Sequence, residues 1–235
     1  MKWTDLFFTP RCVFCRRILG AGAKERVCPW CHPEQYRLQP PLCRLCGRPA
    51  LPGAELCREC LHHPPRVTGR SVYAYEGVMR EALHRFKYEG CRSYGDYFGQ
   101  KLWEEEQEFI RGVWPQLLVP VPLHAKRLRQ RGYNQAQVAA EALSRRSGIP
   151  WGEPLIRSRA TAPQMGLGFG LRRQNIAGAF EVRKGAQIPA SILLIDDIYT
   201  TGSTVEACAE ALRRANPEAE IHFLTISAKI YTEST

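Results

Sequence analysis

The segment from Ile192 to Thr204 contains the residues with the clearest chemistry, because it joins two adjacent carboxylates to a loop rich in hydroxyls. Its first four residues are aliphatic, which predicts a strand buried on both faces of a parallel sheet. Asp196 and Asp197 follow, at the end of the strand where open α/β sheets bind their ligands. The loop then supplies Thr200, Thr201, Gly202, Ser203 and Thr204 ahead of a predicted helix that begins near Ser203.

A loop of this composition is suited to hold a phosphate, because free backbone N–H groups and the helix dipole converge there. The two preceding carboxylates can accept hydrogen bonds from sugar hydroxyls. A strand end followed by one N-capping hydroxyl would account for a single hydroxyl, but not for four of them together with Gly202. We therefore predict a site for a ribose 5-phosphate, with its hydroxyls at the acids and its phosphate at the loop.

Eight of the ten cysteines form four Cys-x-x-Cys pairs within the first 60 residues: Cys12/Cys15, Cys28/Cys31, Cys43/Cys46 and Cys57/Cys60. Two intervening residues aim both thiolates at one ion, and two such pairs complete a tetrahedral zinc site. Four tandem pairs without a βαβ pattern are not typical of redox motifs, and no secretion signal favours disulfides. We expect two structural zinc ions, each held by consecutive pairs. One zinc with one degenerate site, and interleaved pairing, stay open.

The formal net charge of the chain is +10. Four thiolates and one Zn²⁺ contribute −2 per site, so two zinc sites would lower the net charge to about +6. Net charge favours non-specific attraction to nucleic acid but does not indicate a site. The basic run of Lys126, Arg127, Arg129 and Arg131 could contact a phosphate of a small ligand, a nucleic-acid backbone or only water. The five tryptophans are scattered and offer no stacking platform for single strands.

The sequence predicts neither a membrane span nor a secretion signal. Its longest aliphatic run has four residues, far short of the roughly 20 that cross a bilayer. Asp5 stands where a signal peptide would begin its apolar region, and no small-residue cleavage site follows. We therefore expect a cytoplasmic protein without membrane insertion.

The composition changes after Pro65, which predicts a domain boundary between residues 1–65 and 66–235. Strand patterns at 71–75, 117–121, 179–182, 191–195 and 221–226 alternate with helical patterns at 78–86, 95–111, 134–146 and from 203 onward. This alternation predicts a doubly wound α/β domain with a mainly parallel sheet. The stretch 157–178 has no period and is rich in glycine and arginine, so we predict that it forms a lid.

The run 192–204 resembles the phosphoribosyl pyrophosphate (PRPP) motif of the type I phosphoribosyltransferases. Other segments resemble the ComF family of competence-associated proteins. They are Pro120-Val121-Pro122-Leu123, Arg127, Arg131-Gly132-Tyr133-Asn134-Gln135, Arg157-x-Arg159-x-Thr161-x-x-Gln164, Arg172-x-x-Asn175, Ala179-Phe180, and the stretch from Ser71 to Phe86-Lys87-Tyr88-x-Gly90. The four cysteine pairs resemble the double zinc ribbon of the same family, so the resemblance covers nearly the whole chain.

The resemblance implies a type I phosphoribosyltransferase fold with a small N-terminal zinc-ribbon module. Asp196 and Asp197 would bind the ribose hydroxyls directly or through Mg²⁺, and residues 200–204 would hold the 5-phosphate. The pyrophosphate loop would contain Leu123, His124, Lys126, Arg127 and Arg131. The lid would contribute Arg159, Gln164 and Arg172.

The function implied by the resemblance is transfer of a phosphoribosyl group from PRPP to an acceptor, linked to DNA uptake in natural transformation. Nothing in the sequence specifies the acceptor. The alternative is a non-catalytic competence factor whose zinc module and basic face bind single-stranded DNA or a helicase partner, with PRPP as a regulatory ligand. A vestigial fold is disfavoured, because both acids and the complete hydroxyl-rich loop are present.

Overall fold

A four-stranded parallel sheet forms the centre of the computed structural model, which describes residues 10–20, 23, 25–159 and 175–231. The strands are β1 Thr68–Ala74, β2 Leu117–Pro120, β3 Leu155–Arg157, β4 Phe180–Val182, β5 Ser191–Tyr199 and β6 Glu220–Ala228. The helices are α1 Arg58–His62, α2 Gly77–Tyr88, α3 Tyr94–Val113, α4 Ala125–Arg131, α5 Gln135–Ser147 and α6 Ser203–Ala215. The sheet order is β1-β6-β5-β2, and β3 and β4 form a separate antiparallel pair.

Alternate residues of β5 contribute to two different hydrophobic cores. Leu193 and Ile195 pack with α2, α3 and α5 on one face of the sheet. Ile192 and Leu194 pack with α6 and the β3–β4 pair on the other face. All four side chains are fully buried, which explains why this strand is an unbroken apolar run. The expected doubly wound α/β class with a mainly parallel sheet is therefore confirmed.

Helices α3 and α5 pack closely on the first face, because small residues line their contact. A Cβ on Gly99 would lie 2.4 Å from the Cβ of Ala142, so this glycine permits the close approach. The side chain of Asn134 accepts a hydrogen bond from the backbone N–H of Ala136 (3.1 Å) and caps the start of α5. Asn134 Nδ2 also donates to the Val121 carbonyl (3.0 Å), which fixes α5 to the chain just after β2.

Three elements differ from the sequence prediction. β5 continues to Tyr199, because its pairing with β6 extends through Asp196 and Ile198. α4 lies where the sequence predicts only a turn, and it buries no residue, so no apolar period reveals it. β3, which the sequence does not predict, ends at Arg157, the first residue of the stretch predicted to be a lid, and residues 160–174 of that stretch lie outside the described residues.

The N-terminal module, which we take as the described residues from 10 to 65, covers the edge of the sheet at β1. Arg37 forms an antiparallel bridge with Tyr73, and the N–H of Leu38 donates to the carbonyl of Val72 (2.9 Å). The first half of the module joins the core that contains α2 and α3, and the second half joins the core that contains α6. The module thus contacts both faces of the sheet, and the domain boundary near residue 65 stays a prediction.

The longest helix given above, α3, has 20 residues and a kink at Glu106. Its solvent side carries ion pairs such as Lys101 with Glu104 (2.7 Å). Across the described part of the chain, no helix has both the length and the apolar character needed to cross a bilayer.

Candidate functional site

The eight paired cysteines form two clusters, in each of which the four sulfurs lie within 4.8 Å of one another. Sulfur separations of 3.5 Å in one cluster and 3.6 Å in the other are close to the roughly 3.8 Å that tetrahedral Zn–S bonds of about 2.3 Å impose. The residues therefore fit zinc, and the sequential pairing is confirmed. The first cluster consists of Cys12, Cys15, Cys28 and Cys31, and the second cluster of Cys43, Cys46, Cys57 and Cys60.

The two clusters are built on similar turns but differ in burial. In the first cluster the N–H of Cys12 donates to the carbonyl of Arg17 (2.9 Å), and in the second the N–H of Cys43 donates to the carbonyl of Arg48 (2.6 Å). All four cysteines of the second cluster are buried, whereas Cys15 in the first is exposed. The second cluster is therefore shielded from solvent and the first is open on one side.

The acid pair, Asp196 and Asp197, lies in the last part of β5 and has a lysine as its internal counter-ion. Lys87 Nζ lies 2.9 Å from Asp197 Oδ2, and both side chains are largely buried. Lys87 belongs to the last turn of α2. The N–H of Asp197 donates to Asp196 Oδ1 (2.8 Å), which ties the two acids together. One carboxylate of the pair is thus compensated by a cation from a neighbouring helix.

Burial, together with the charge of Asp197, raises the pKa of Asp196 to about 7. The backbone N–H of Asp197 and the cations Lys87 and Arg157 act in the opposite direction without outweighing these effects. Burial lowers the pKa of Arg157, and the charge of Arg127 lowers it further. The charge of Arg157 thus acts on Asp196, and one residue of the basic run, Arg127, is linked to the acid pair through Arg157. A carboxyl with a pKa near 7 can exchange a proton at neutral pH, as functional groups in sites often do.

The hydroxyl loop, residues 200–204, leads directly into α6. Gly202 is the N-cap residue of α6 and has φ = 78°, a left-handed conformation that glycine adopts without steric cost. A Cβ at this position would lie 2.6 Å from the hydroxyl of Tyr199. The hydroxyls of Thr201 and Ser203 are 3.0 Å apart. Because the first N–H groups of a helix have no partner within it, the loop and α6 together offer donors to an anion.

Arg48 of the N-terminal module contacts the hydroxyl loop. Its guanidinium donates to the carbonyl of Thr200 and lies 3.5 Å from Glu59. The guanidinium carbon also lies 4.8 Å from the ring centroid of Tyr199, whose other stacking partner is Phe223 (4.5 Å between centroids). Arg48 is 3% exposed, and among the described residues it is the one charged residue in the buried class. The second cluster is thus linked to the loop by a buried cation.

The residues predicted to form a pyrophosphate loop lie in α4 or just before it. His124 Nδ1 accepts from the N–H of Lys126 (3.3 Å), so this histidine caps α4. Arg131 donates to Gln135 Oε1 (2.9 Å) and to the hydroxyl of Tyr88 (3.1 Å). Leu123 is half-buried and the side chain of Lys126 is exposed. Of this set, Arg127 is the residue with an electrostatic link to the acid pair, through Arg157.

Arg159, predicted to belong to the lid, fastens the two ends of the undescribed stretch to each other. Its guanidinium donates to the carbonyls of Asn175 (3.3 Å) and Ala177 (2.6 Å). The β3–β4 pair lies just outside these contacts, with Arg157 opposite Phe180. Residues 159 and 175–177 are therefore held together at one stem. The other predicted lid residues, Gln164 and Arg172, lie outside the described residues.

A cleft of about 340 Å³ runs along α6 and begins at the hydroxyl loop. Ser203 lies at one end of it, and the acid pair does not contribute to its wall. Its lining carries charges of both signs, from Arg66, Glu206, Glu210, Arg213 and Arg214. The acid pair is therefore not part of this cleft, which meets the hydroxyl loop at Ser203.

Sequence reasoning gave no role to three cations that the structure places at the site: Lys87, Arg48 and Arg157. Lys87 and Arg157 are part of the segments that resemble the ComF family, so those segments contained a signal for them. Arg48 lies between two cysteine pairs and contacts a residue 152 positions away, and no local pattern indicates such a contact.

A family model described as a double zinc ribbon domain matches residues 3–61. The chain is similar to the competence protein ComFC of Bacillus subtilis (strain 168), with 31% identity over 86% of this chain and 84% of that protein. It is similar to the DNA utilization protein YhgH of Escherichia coli (strain K12), with 32% identity over 86% of this chain and 90% of that protein. It is also similar to competence protein F of Haemophilus influenzae (strain ATCC 51907 / DSM 11121 / KW20 / Rd), with 31% identity over 90% and 94% of the two chains.

Among solved structures, the chain overlaps with glutamine PRPP amidotransferase from B. subtilis complexed with ADP and GMP. The TM-score is 0.39 and the identity 21%, over 57% of this chain and 26% of that chain. A second overlap is with adenine phosphoribosyltransferase from Leishmania donovani, with a TM-score of 0.27 and 13% identity, over 55% of this chain and 65% of that chain. Overlaps at these TM-scores carry no argument about activity.

Proposed function

The chain belongs to the ComF family, and from this premise we propose that it is a PRPP-binding, phosphoribosyltransferase-like protein that acts in the use of DNA taken up by the cell. The names of its relatives, competence protein ComFC and DNA utilization protein YhgH, support the second part. The first part is supported by one observation. An acid pair at the end of a buried parallel strand is followed directly by a hydroxyl loop that opens a 13-residue helix.

The two ends of this arrangement suit the two ends of a ribose 5-phosphate. The hydroxyl loop and the first amides of α6 are donors for the 5-phosphate. The carboxylates of Asp196 and Asp197 are acceptors for the ribose hydroxyls. Lys87 pairs with Asp197, the charge of Arg157 acts on Asp196, and the charge of Arg127 acts on Arg157, so these cations would attract the negative charge of a sugar pyrophosphate. The proposal thus gives a ligand role to each of the cations that the fold gathers beside the acids.

Mg²⁺ is part of the proposal, because two carboxylate groups are the hard oxygen ligands that this ion prefers. Asp196 and Asp197 would hold it, and the ion would help to neutralise the pyrophosphate. The two carboxylates fit this role. Lys87 already occupies an oxygen of Asp197, so the lysine and the ion would compete for that carboxylate.

In the proposed reaction the bond between the anomeric carbon and pyrophosphate breaks, and both electrons leave with the pyrophosphate. An acceptor atom forms a new bond to the carbon and releases a proton. Positive charge develops on the ribose beside the acid pair, and negative charge develops on the leaving group, where Arg127, Lys126 and Arg131 would stabilise it. The lid predicted from the sequence would exclude water, which otherwise hydrolyses the activated sugar.

The second candidate function is that of a non-catalytic competence factor that binds single-stranded DNA or a helicase partner. It is favoured by the exposure of Lys126 and Arg129 on α4. DNA binding of this kind weakens steeply with salt and with neutralisation of Lys126 and Arg129. It does not need the acid pair, which separates it from the first proposal. Both proposals place the protein in the cytoplasm.

The test is a calorimetric titration of the zinc-loaded protein with PRPP, with and without Mg²⁺. We expect Mg²⁺-dependent binding that is lost in the double variant Asp196→Asn, Asp197→Asn. The matched control replaces two exposed acids on other elements, Glu108→Gln and Glu218→Gln, and is expected to bind like the wild type. Absence of binding to the wild type under both conditions would refute the PRPP proposal.

A further inference from the structure

We infer that Arg48 is a positioning residue through which the second cluster holds the hydroxyl loop in its ligand-binding conformation, so that zinc at this cluster sets the affinity for a sugar phosphate. The inference rests on the proposed function of the loop. It concerns a residue of the N-terminal module that touches neither the acids nor, in the proposal, the ligand. Four observations support the inference, and they proceed from the backbone of Arg48 to the contacts of its side chain.

The backbone of Arg48 is part of the turn that shapes the second cluster. Its carbonyl accepts from the N–H of Cys43 (2.6 Å), and the N–H of Gly47 donates to the carbonyl of Cys43 (2.9 Å). Because these bonds close the turn around two zinc-binding cysteines, the position of the Arg48 Cα depends on the geometry of the cluster. A metal that orders the turn therefore also orders the start of the Arg48 side chain.

The guanidinium of Arg48 is held by the other half of the same cluster. Glu59 lies 3.5 Å from it and immediately precedes Cys60, the last cysteine of the cluster. Both halves of the cluster thus fix the direction of the side chain. Arg48 is 3% exposed, so water does not compete for the hydrogen bonds of its guanidinium as it would at the surface.

The hydrogen bond from Arg48 to the Thr200 carbonyl orients the first peptide of the hydroxyl loop. In a trans peptide the C=O and the next N–H point in opposite directions. Fixing the carbonyl of Thr200 towards Arg48 therefore fixes the N–H of Thr201 on the side away from the N-terminal module. In the proposed site, this N–H is one of the donors that the phosphate requires.

Arg48 also restricts the loop through the ring of Tyr199. The guanidinium lies over this ring, and the ring stacks on Phe223 with an angle of 4° between the planes. The hydroxyl of Tyr199 fills the space where a Cβ of Gly202 would be. The position of Arg48 is thus coupled to both Thr200 and Gly202, at the two sides of Thr201.

The chain offers a matched control in Arg85, which has the same kind of contact with the first cluster. Arg85 donates to the carbonyls of Val13 (3.2 Å) and Phe14 (2.6 Å), and it has an acid partner in Glu81 (3.8 Å). It is also a largely buried cation. These contacts of Arg85 with described residues do not involve the hydroxyl loop, so a variant at this position reports the general effect of removing a buried arginine.

The experiment compares Arg48→Met, Arg48→Lys and Arg85→Met in the full-length, zinc-loaded protein. Three quantities are measured: zinc per chain, amide hydrogen exchange at residues 201–204 without ligand, and the affinity for PRPP with Mg²⁺. For Arg48→Met we expect two zinc ions per chain, faster exchange in the loop and binding weakened about tenfold, the cost of one lost hydrogen bond to a buried partner. Arg48→Lys keeps the positive charge but loses the planar guanidinium with its several N–H donors. We expect its loop exchange rate and its affinity for PRPP to lie between those of the wild type and of Arg48→Met.

Arg85→Met is expected to leave exchange at 201–204 at the wild-type rate. The inference is overturned if Arg48→Met leaves loop exchange unchanged, if Arg85→Met accelerates it equally, or if Arg48→Met loses zinc, which would assign the residue to the cluster itself. If the wild type binds no PRPP, the proposed function fails, and the exchange comparison alone then decides whether Arg48 holds the loop.

Discussion

The two cysteine clusters support opposite ends of the candidate site from opposite faces of the sheet. The first cluster packs against α2 and α3, and α2 carries Lys87, the counter-ion of Asp197. The second cluster packs with the core of α6 and reaches the hydroxyl loop through Arg48. One cluster is open to solvent at Cys15, and the other is buried throughout. Two sites with the same four ligands, each built from two Cys-x-x-Cys pairs, therefore have unequal structural roles.

The difference follows from where each cluster meets the rest of the chain. The first cluster contacts two helices, α3 by the edge-on packing of Phe14 on Tyr97 (5.6 Å between centroids) and α2 by the hydrogen bonds of Arg85. The second contacts a strand end and a loop, where the backbone itself forms part of the site. Helices tolerate small shifts of a neighbour, because their own hydrogen bonds keep them intact. A loop has no such internal ladder, so we expect it to depend more on its neighbour.

The largest expected effect separates the clusters by loss of one metal ligand. Cys46→Ser removes a buried thiolate and should lower the free energy of unfolding by more than about 3 kcal/mol, with loss of one zinc. Cys15→Ser removes an exposed thiolate, and a loss on the order of 1–2 kcal/mol is expected. Denaturant unfolding with zinc quantification measures both. Equal losses of unfolding free energy in the two variants would show that the two clusters contribute equally to stability.

The next effect concerns pH at the acid end of the site. The pKa of Asp196 is raised to about 7 from an ordinary value of 3.8, so the folded protein favours the protonated form. The stability that this group contributes is present below about pH 4 and is lost as the pH rises through 7. Raising the pH from 5.5 to 8.5 should therefore lower the free energy of unfolding of the wild type relative to Asp196→Asn, on the order of 2 kcal/mol.

The comparison of these two proteins separates Asp196 from other groups that titrate in this range, such as Glu106, whose pKa burial raises to about 7. Lys87, Asp197 and Arg157 face Asp196 and are unchanged in the variant. Denaturant titrations at several pH values give the two curves. Parallel curves would mean that Asp196 does not change its protonation on folding in this window.

The smallest effect tests the loop end of the site through two glycines. Gly202→Ala should destabilise the protein by about 1 kcal/mol more than Gly178→Ala, because overpacking costs at least that much. Both glycines have a positive φ, 78° and 66°, so both variants share the backbone cost. A Cβ on Gly178 meets nothing within 4 Å, whereas a Cβ on Gly202 meets the Tyr199 hydroxyl. Thermal or denaturant unfolding of the pair gives the difference, and equal destabilisation would show that Tyr199 can move aside.

The sequence predicts those parts of the molecule whose signals are local. α5 and α6 have an apolar face, β5 has an apolar run, and the Cys-x-x-Cys spacing indicates both metal sites. α4 has no buried face, so no period indicates it. β3 has three residues, too few for a pattern. The sequence therefore predicts a helix or strand best when many of its residues are buried in a regular pattern.

The contacts that complete the candidate site were not predictable in this way. Lys87 with Asp197, and Arg48 with Thr200, join segments far apart in the chain. A lysine in the last turn of a helix interacts favourably with the helix dipole whichever partner it has. An arginine in a zinc-binding turn can equally well extend into solvent. Neither position in the sequence therefore indicates a partner. Only the packing of the module on the sheet decides their partners. The roles of the site residues stay predictions, whereas the pairing of the cysteines is confirmed.

The bridge between Arg37 and Tyr73 has a consequence for aggregation. β1 is an edge strand of the sheet, and an uncovered edge presents unpaired N–H and C=O groups that can recruit a strand from another molecule. The N-terminal module occupies part of that edge and covers both apolar faces beside it. A chain shortened to residues 66–235 would lose this protection together with its metal sites. We therefore expect the shortened chain to self-associate through β1 more readily than the full chain.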